Sequence, residues 1–157
     1  MGRLSVDLPY NEEIAMTPAE SYERVEKLTE RIKNAYKTRE DASALRKEKE
    51  LAIREIIPEV GRGCTICYYS DKRAATITEV EYTKAGKPKA VIVTHNKTKC
   101  IDYFADKYEI LPELEEGRTD RFTLRRNGRW YMDGQETSQH SVVLMLHYQT
   151  HSIDPHY

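Results

Sequence analysis

A chain of 157 residues, 32% charged and 39% hydrophobic, with 25 basic and 26 acidic side chains and a formal net charge of −1, is sized for one domain or for one domain with an appendage. Its mean hydropathy is −0.75, and it has no apolar run near the roughly 20 residues that span a bilayer, which excludes a transmembrane helix. The segment from Met1 to Glu20 lacks the basic start and apolar stretch of a secretory signal, so a cytoplasmic protein is expected.

Residues 1–16 read as a lead-in, expected to be flexible. Thr17-Pro18-Ala19-Glu20 then carries an N-cap threonine, a proline at the first helical position and a glutamate three after the cap, the pattern of a capping box. Tyr22, Val25, Leu28, Ile32 and Ala35 follow at three- and four-residue steps, with Glu23, Lys27, Glu30 and Arg31 on a solvated flank. A second helical pattern runs from Ala42 through Leu45, Ala52, Ile53 and Ile56 to Ile57, and Pro58 ends it. Thr38-Arg39-Glu40-Asp41 contains neither Gly nor Pro, so a helical hairpin and one long helix both remain open for this arm, residues 17–58. Its apolar stripe has more surface than a barrel of the same chain is expected to cover, which predicts a homo-oligomer.

After Pro58 the composition changes to short β-type runs separated by turn residues. Cys64 to Tyr69, Ala74 to Tyr82, Ala90 to His95 and Cys100 to Phe104 are candidate strands. Leu111 to Gly117 is acidic and loop-like. Arg121 to Arg125 and Arg129 to Met132 flank Asn127-Gly128, a hairpin signal, and Ser141 to Tyr148 is a last strand. The expected fold class is α+β: an N-terminal helical arm followed by a small antiparallel β-barrel or strongly bent sheet over residues 59–157.

Three cysteines, Cys64, Cys67 and Cys100, are an odd set in a chain without a secretory signal, which argues against a disulfide framework. Cys64 and Cys67 are spaced Cys-x-x-Cys within a strand pattern, where positions three apart face opposite ways, and no second ligand pair follows at zinc-finger spacing. They read as small buried hydrophobes, and no metal is expected. Tyr148 stands where a zinc protease with His147 and His151 would need its glutamate. There is no Gly-x-Ser-x-Gly, no P-loop and no dinucleotide fingerprint, so no catalytic residue and no cofactor is expected.

Charge is uneven along the chain: residues 61–130 carry 14 bases and 10 acids, and Arg118, Arg121, Arg125, Arg126 and Arg129 share a segment with Asp120 as its one acid. Guanidinium forks bind phosphate bidentately, and the neighbouring Trp130 offers a π-face for a base. The alternative is a salt-bridged hairpin offsetting Glu113, Glu115 and Glu116. A second cluster, Tyr68-Tyr69-Ser70-Asp71-Lys72-Arg73, lies where a strand gives way to a loop, with one tyrosine expected in the core and the other available. Ser70 and Asp71 are equally the residues of an Asx or Ser turn.

Tyr68-Tyr69-Ser70-Asp71-Lys72-Arg73, Ala75-Thr76-Ile77-Thr78-Glu79-Val80 and Phe122-Thr123-Leu124-Arg125-Arg126-Asn127-Gly128-Arg129-Trp130 together resemble the pattern of a widespread family of small bacteriophage proteins. That pattern is Ser-Asp-Arg, a Pro, Thr-Val-x-Glu-Val, then Phe-Thr-x-Arg-x-Asn-Gly-x-Trp, closing near a C-terminal Asp. The family resembles the viral sponge proteins that sequester the cyclic nucleotide signals of CBASS anti-phage defence. The resemblance covers about Val60 to Tyr157 and departs at Lys72 and Ala74, where the pattern has Arg and Pro. It implies binding of a cyclic dinucleotide or trinucleotide without catalysis, in the cytoplasm of an infected bacterial host. The rival expectation is a small barrel that binds nucleic acid or a protein partner. The residues expected to bind ligand are Tyr69, Ser70, Asp71, Lys72, Arg73, Arg125, Asn127, Arg129 and Trp130.

Overall fold

The computed structural model describes residues 16–134 and 141–153. The expected lead-in lies outside them except for Met16, as does the tail from Asp154 to Tyr157. Two helices, α1 (Pro18–Lys37) and α2 (Ser43–Arg54), precede six strands: β1 (Gly63–Cys67), β2 (Lys72–Tyr82), β3 (Pro88–Asp102), β4 (Lys107–Leu124), β5 (Trp130–Met132) and β6 (Val143–Met145). The strands are antiparallel and pair in sequence order, and β1 also pairs with β6, closing an uneven ring. The fold is α+β.

The capping box starts α1: the Thr17 N–H donates to Glu20 Oε1 at 2.9 Å, and the Glu20 N–H donates to Thr17 Oγ1 at 3.2 Å. The arm is a hairpin. Arg39 adopts a φ of 60°, and the Asp41 carboxylate accepts the Ser43 N–H at 2.9 Å as the chain enters α2. An Asx-type contact thus supplies the reversal that the missing Gly and Pro left undecided.

Tyr22, Val25, Leu28 and Ala52 from the helices and Ile56 just after α2 are buried in one cluster with Cys64, Ile66, Ala75, Ile77, Val91, Val93, Phe122, Trp130, Val142, Leu144 and Leu146. Each large aliphatic side chain placed there contributes about 1.5–3 kcal/mol. Ile32 and Ala35 complete the stripe against Ala42 and Leu45 between the two helices. The stripe residues Tyr22, Val25, Leu28, Ile32 and Ala35 are thus buried within the chain itself.

Two strand expectations need correction. Ala90 to His95 and Cys100 to Phe104 are not separate strands: β3 runs from Pro88 to Asp102 with register shifts near Asn96 and Cys100. Nor is the acidic stretch from Leu111 to Gly117 a free loop. It lies within β4, where pairing jumps from Thr94↔Thr119 to Asn96↔Leu114, so β4 bulges by several residues at Gly117, whose φ is 81°. Glutamates read as loop because they are exposed, and exposure at a bulged edge is compatible with a strand.

The segment after β6 lies along the outside of β1 and β2. Thr65 Oγ1 accepts the Thr150 N–H at 3.0 Å, Gln149 Nε2 donates to the Ala75 carbonyl at 2.7 Å, and Ser152 exchanges both backbone bonds with Lys72. This strap explains why Cys64, Thr65 and Ile66 are all buried although successive residues of a strand face opposite ways.

Candidate functional site

The connection from β1 to β2 is closed by the Tyr68 N–H donating to the Asp71 carbonyl at 2.9 Å. That closure turns Tyr69 outward, to 74% exposure, and leaves Tyr68 half-buried beneath Arg73, whose guanidinium carbon is 5.8 Å from the Tyr68 ring centre. Arg73 Nη2 also stands 3.6 Å from Asp71 Oδ2. From across the sheet, the bulge at Gly117 brings Arg118 to the same place. A concavity of about 490 Å³ results, lined by Tyr68, Tyr69, Ser70, Asp71, Arg73, Arg118 and Val142.

Electrostatics ties further groups to this concavity. His95 is 3% exposed, and its Nε2 lies 2.9 Å from Asp120 Oδ2. Burial pushes the Tyr68 phenol upward, Asp120 adds to the rise, and Arg73 and Arg118 oppose it. Burial, seconded by Arg73, holds the His151 imidazole below its ordinary value. His151 Nδ1 accepts the Ala74 N–H at 3.3 Å, and the ring meets Tyr108 edge-on at 4.8 Å. A neutral imidazole with Nδ1 as acceptor carries its proton on Nε2. Arginines, tyrosines, a carboxylate and a hydroxyl in one concavity suit an anion that also has a flat ring.

A second cavity, of about 360 Å³, opens between α2 and the sheet, with Ile53, Cys67, Arg129, Trp130, Leu144, Met145 and His147 among its lining residues. Its walls are chiefly apolar. Burial pushes the His147 imidazole down to about 4, and Lys49 contributes in the same direction.

The nine residues expected to bind ligand are thus divided. Tyr69, Ser70, Asp71 and Arg73 line the first concavity, and Arg129 and Trp130 line the second. Lys72 is exposed at the start of β2 and lines neither, and Arg125 and Asn127 lie at the β4–β5 turn and line neither. Trp130 is 5% exposed and belongs to the core, so its ring forms cavity wall in place of an open stacking platform. Asn127 is engaged in the turn: Oδ1 accepts the Arg129 N–H at 3.0 Å, and Nδ2 donates to the Tyr131 hydroxyl at 2.9 Å. Arg121, expected beside Arg125 and Arg129, is clamped by Glu81 at 2.7 Å and by Asp133 at 2.6 Å.

Arg118 was visible as one of five clustered arginines, but its partnership with Tyr69 depends on the β4 bulge, for which the signal was Gly117 after two glutamates. All three cysteines are free thiols, with Cys64 buried, Cys67 half-buried and Cys100 exposed. Among the described residues, no group of three His, Cys, Asp or Glu could hold a metal ion, and no helix is long and apolar enough to cross a membrane. No family model matches the chain, and searches of curated proteins and of solved structures found no match.

Proposed function

We propose that this chain binds a small anionic nucleotide, a cyclic dinucleotide or trinucleotide, and holds it without chemical turnover. In biological terms it would be a phage immune-evasion protein that sequesters the cyclic oligonucleotide signals of CBASS anti-phage defence in the infected cell. The observation that carries this reading is the meeting of the exposed Tyr69 ring with Arg73 and Arg118 in one concavity of about 490 Å³. Volumes of about 300–1,000 Å³ are usual for small-molecule sites.

A base stacked on Tyr69 is worth about 1–3 kcal/mol, and the two guanidiniums supply paired donors for phosphate oxygens. At 3.6 Å, Arg73 and Asp71 form a loose pair with which an incoming phosphate competes. Asp71 and Ser70 then offer an acceptor and a hydroxyl for the base edge. A sponge works by mass action and needs affinity without a nucleophile or general base.

The rival reading, a barrel that binds a nucleic-acid strand, needs a continuous positive track. Ion pairing interrupts it: Arg121 is held by Glu81 and Asp133, and Arg118 is 3.2 Å from Glu115.

Calorimetry with a panel of cyclic dinucleotides and trinucleotides, followed by chromatography of the recovered ligand, tests the proposal. Tight binding of one member, recovered intact, is the expected result. Absence of binding across the panel, or recovery of cleaved ligand, overturns it. Tight binding of a linear oligonucleotide with a steep salt dependence would favour the rival.

A further inference from the structure

The second cavity has a chemistry of its own. Trp130, Leu144 and Leu146 form its buried floor, and Ile53 from α2, Cys67 from β1 and Met145 from β6 form half-buried walls. At about 360 Å³ it exceeds the ~150 Å³ apolar cavity known to admit benzene. Among the described residues a single permanent cation lines it, Arg129.

Among the described residues the Arg129 guanidinium has no ion-pair partner, and the residue's hydrogen bonds are those of its backbone, to Asn127 Oδ1 and Arg125. The neighbouring cations are differently placed: Lys49 acts on the His147 imidazole but does not line the cavity. Arg54 is paired with Glu50 at 3.2 Å, and its stem lies against Gly128. His147 on the cavity wall is uncharged at neutral pH. An apolar cavity lined by one uncommitted guanidinium is complementary to a molecule with an apolar body and one anionic end, since a guanidinium fork matches a carboxylate bidentately.

We propose that this cavity is a second binding site, separate from the Tyr69 concavity, and that it takes a small amphiphilic carboxylate whose chain or ring lies on Trp130 and Leu144 and whose carboxylate meets Arg129. The two cavities have no lining residue in common, so this site stands or falls independently of nucleotide binding.

The chain contains one tryptophan, and it is in the cavity wall, so its emission reports occupancy directly. Octanoate and 1-octanol share a chain and differ in charge, which makes them the probes. Octanoate should shift Trp130 emission saturably and bind about tenfold or more tightly than 1-octanol. Arg129→Met, which keeps an apolar stem at an exposed position, should remove that preference and leave octanol binding unchanged.

Alkylation of the thiols, read by peptide mass spectrometry, supplies the location. Octanoate should slow modification of Cys67, which lines the cavity, and leave the exposed Cys100 unaffected. No shift of Trp130 emission at millimolar probe overturns the proposal, as does equal affinity for the two probes or an emission change without protection of Cys67.

Discussion

The hydroxyl of Thr65 donates to the carbonyl of Tyr148 at 2.8 Å, across 83 residues of chain, and the same oxygen accepts the Thr150 N–H at 3.0 Å. One fully buried side chain in β1 thereby holds the segment after β6 against the sheet. Thr65→Val keeps the shape and deletes both bonds, leaving a buried N–H without its acceptor. A loss of about 1–3 kcal/mol is expected in denaturant unfolding. An unchanged midpoint would mean that the strap does not depend on this hydroxyl.

The burial of His147 predicts a stability that falls in acid. Its folded value is pushed down to about 4, whereas an exposed histidine titrates near 6.5. Between these values the unfolded chain takes up a proton that the folded chain refuses, so stability rises with pH through the window and is lost as pH falls from about 6.5 to about 4. The ring is partly exposed, so solvent screening reduces the effect to on the order of 2 kcal/mol. His151, also held below its ordinary value by burial, acts in the same direction. Melting curves across the window should therefore slope, and His147→Gln should flatten that slope. An unaltered slope would assign the acid sensitivity to other groups.

The helices should behave as part of the barrel's core. Leu28 is 3% exposed and shares its cluster with Ile66, Val93 and Phe122. Leu28→Ala should cost about 2–5 kcal/mol and lower the single unfolding transition seen by both helical and tryptophan signals. Separate transitions would instead restore the arm as an independent unit.

What was legible in the sequence was local. Thr17, Pro18 and Glu20 announce a helix start because capping acts within four residues, and Asn127-Gly128 announces a turn because Gly128 takes a φ of 84°. The continuity of β3 was hidden because Asn96 is polar. It is nonetheless buried, its amide donating to the Leu111 carbonyl at 2.8 Å and its oxygen accepting the Thr76 hydroxyl at 2.7 Å. A buried polar network satisfies in three dimensions what looks like loop chemistry in one.

The site was half legible for the same reason. Tyr69 to Arg73 are neighbours in the chain and remain neighbours in the concavity, whereas Arg118 arrives from another strand through a bulge. The burial of Trp130, which pairs with Leu144 in β6, is a property of the closed ring that the linear sequence does not display.

Gly128 offers a test of how the β4–β5 turn meets α2. Its φ of 84° already disfavours a side chain, and a Cβ there would come within 2.7 Å of Arg54 Cγ. Gly128→Ala should therefore cost about 1–2 kcal/mol, a left-handed conformation accounting for most of it and contact with Arg54 for the rest. Combining it with Arg54→Ala should recover part of the steric cost alone, since the Cβ retained at position 54 still lies 3.1 Å away. Full recovery in the double variant would show that crowding, not backbone conformation, sets the requirement for glycine.

Tyr69 separates recognition from structure most sharply. Its ring is 74% exposed and lies outside the core, so Tyr69→Ala should change stability by no more than about 0.5 kcal/mol. If the ring stacks a base, the same substitution should weaken nucleotide binding by about 1–3 kcal/mol, and Tyr69→Phe should restore it, since stacking needs the ring and not the hydroxyl. Arg118→Gln supplies the complementary measurement. Its ion pair with Glu115 is solvent-exposed and contributes about 0–1 kcal/mol to folding, whereas loss of a charged bond to phosphate costs about 1.5–3 kcal/mol of affinity. Melting curves and calorimetric titrations on the two variants should therefore diverge, with stability held and binding lost. A nucleotide that binds both variants as tightly as the native chain would have to sit outside this concavity.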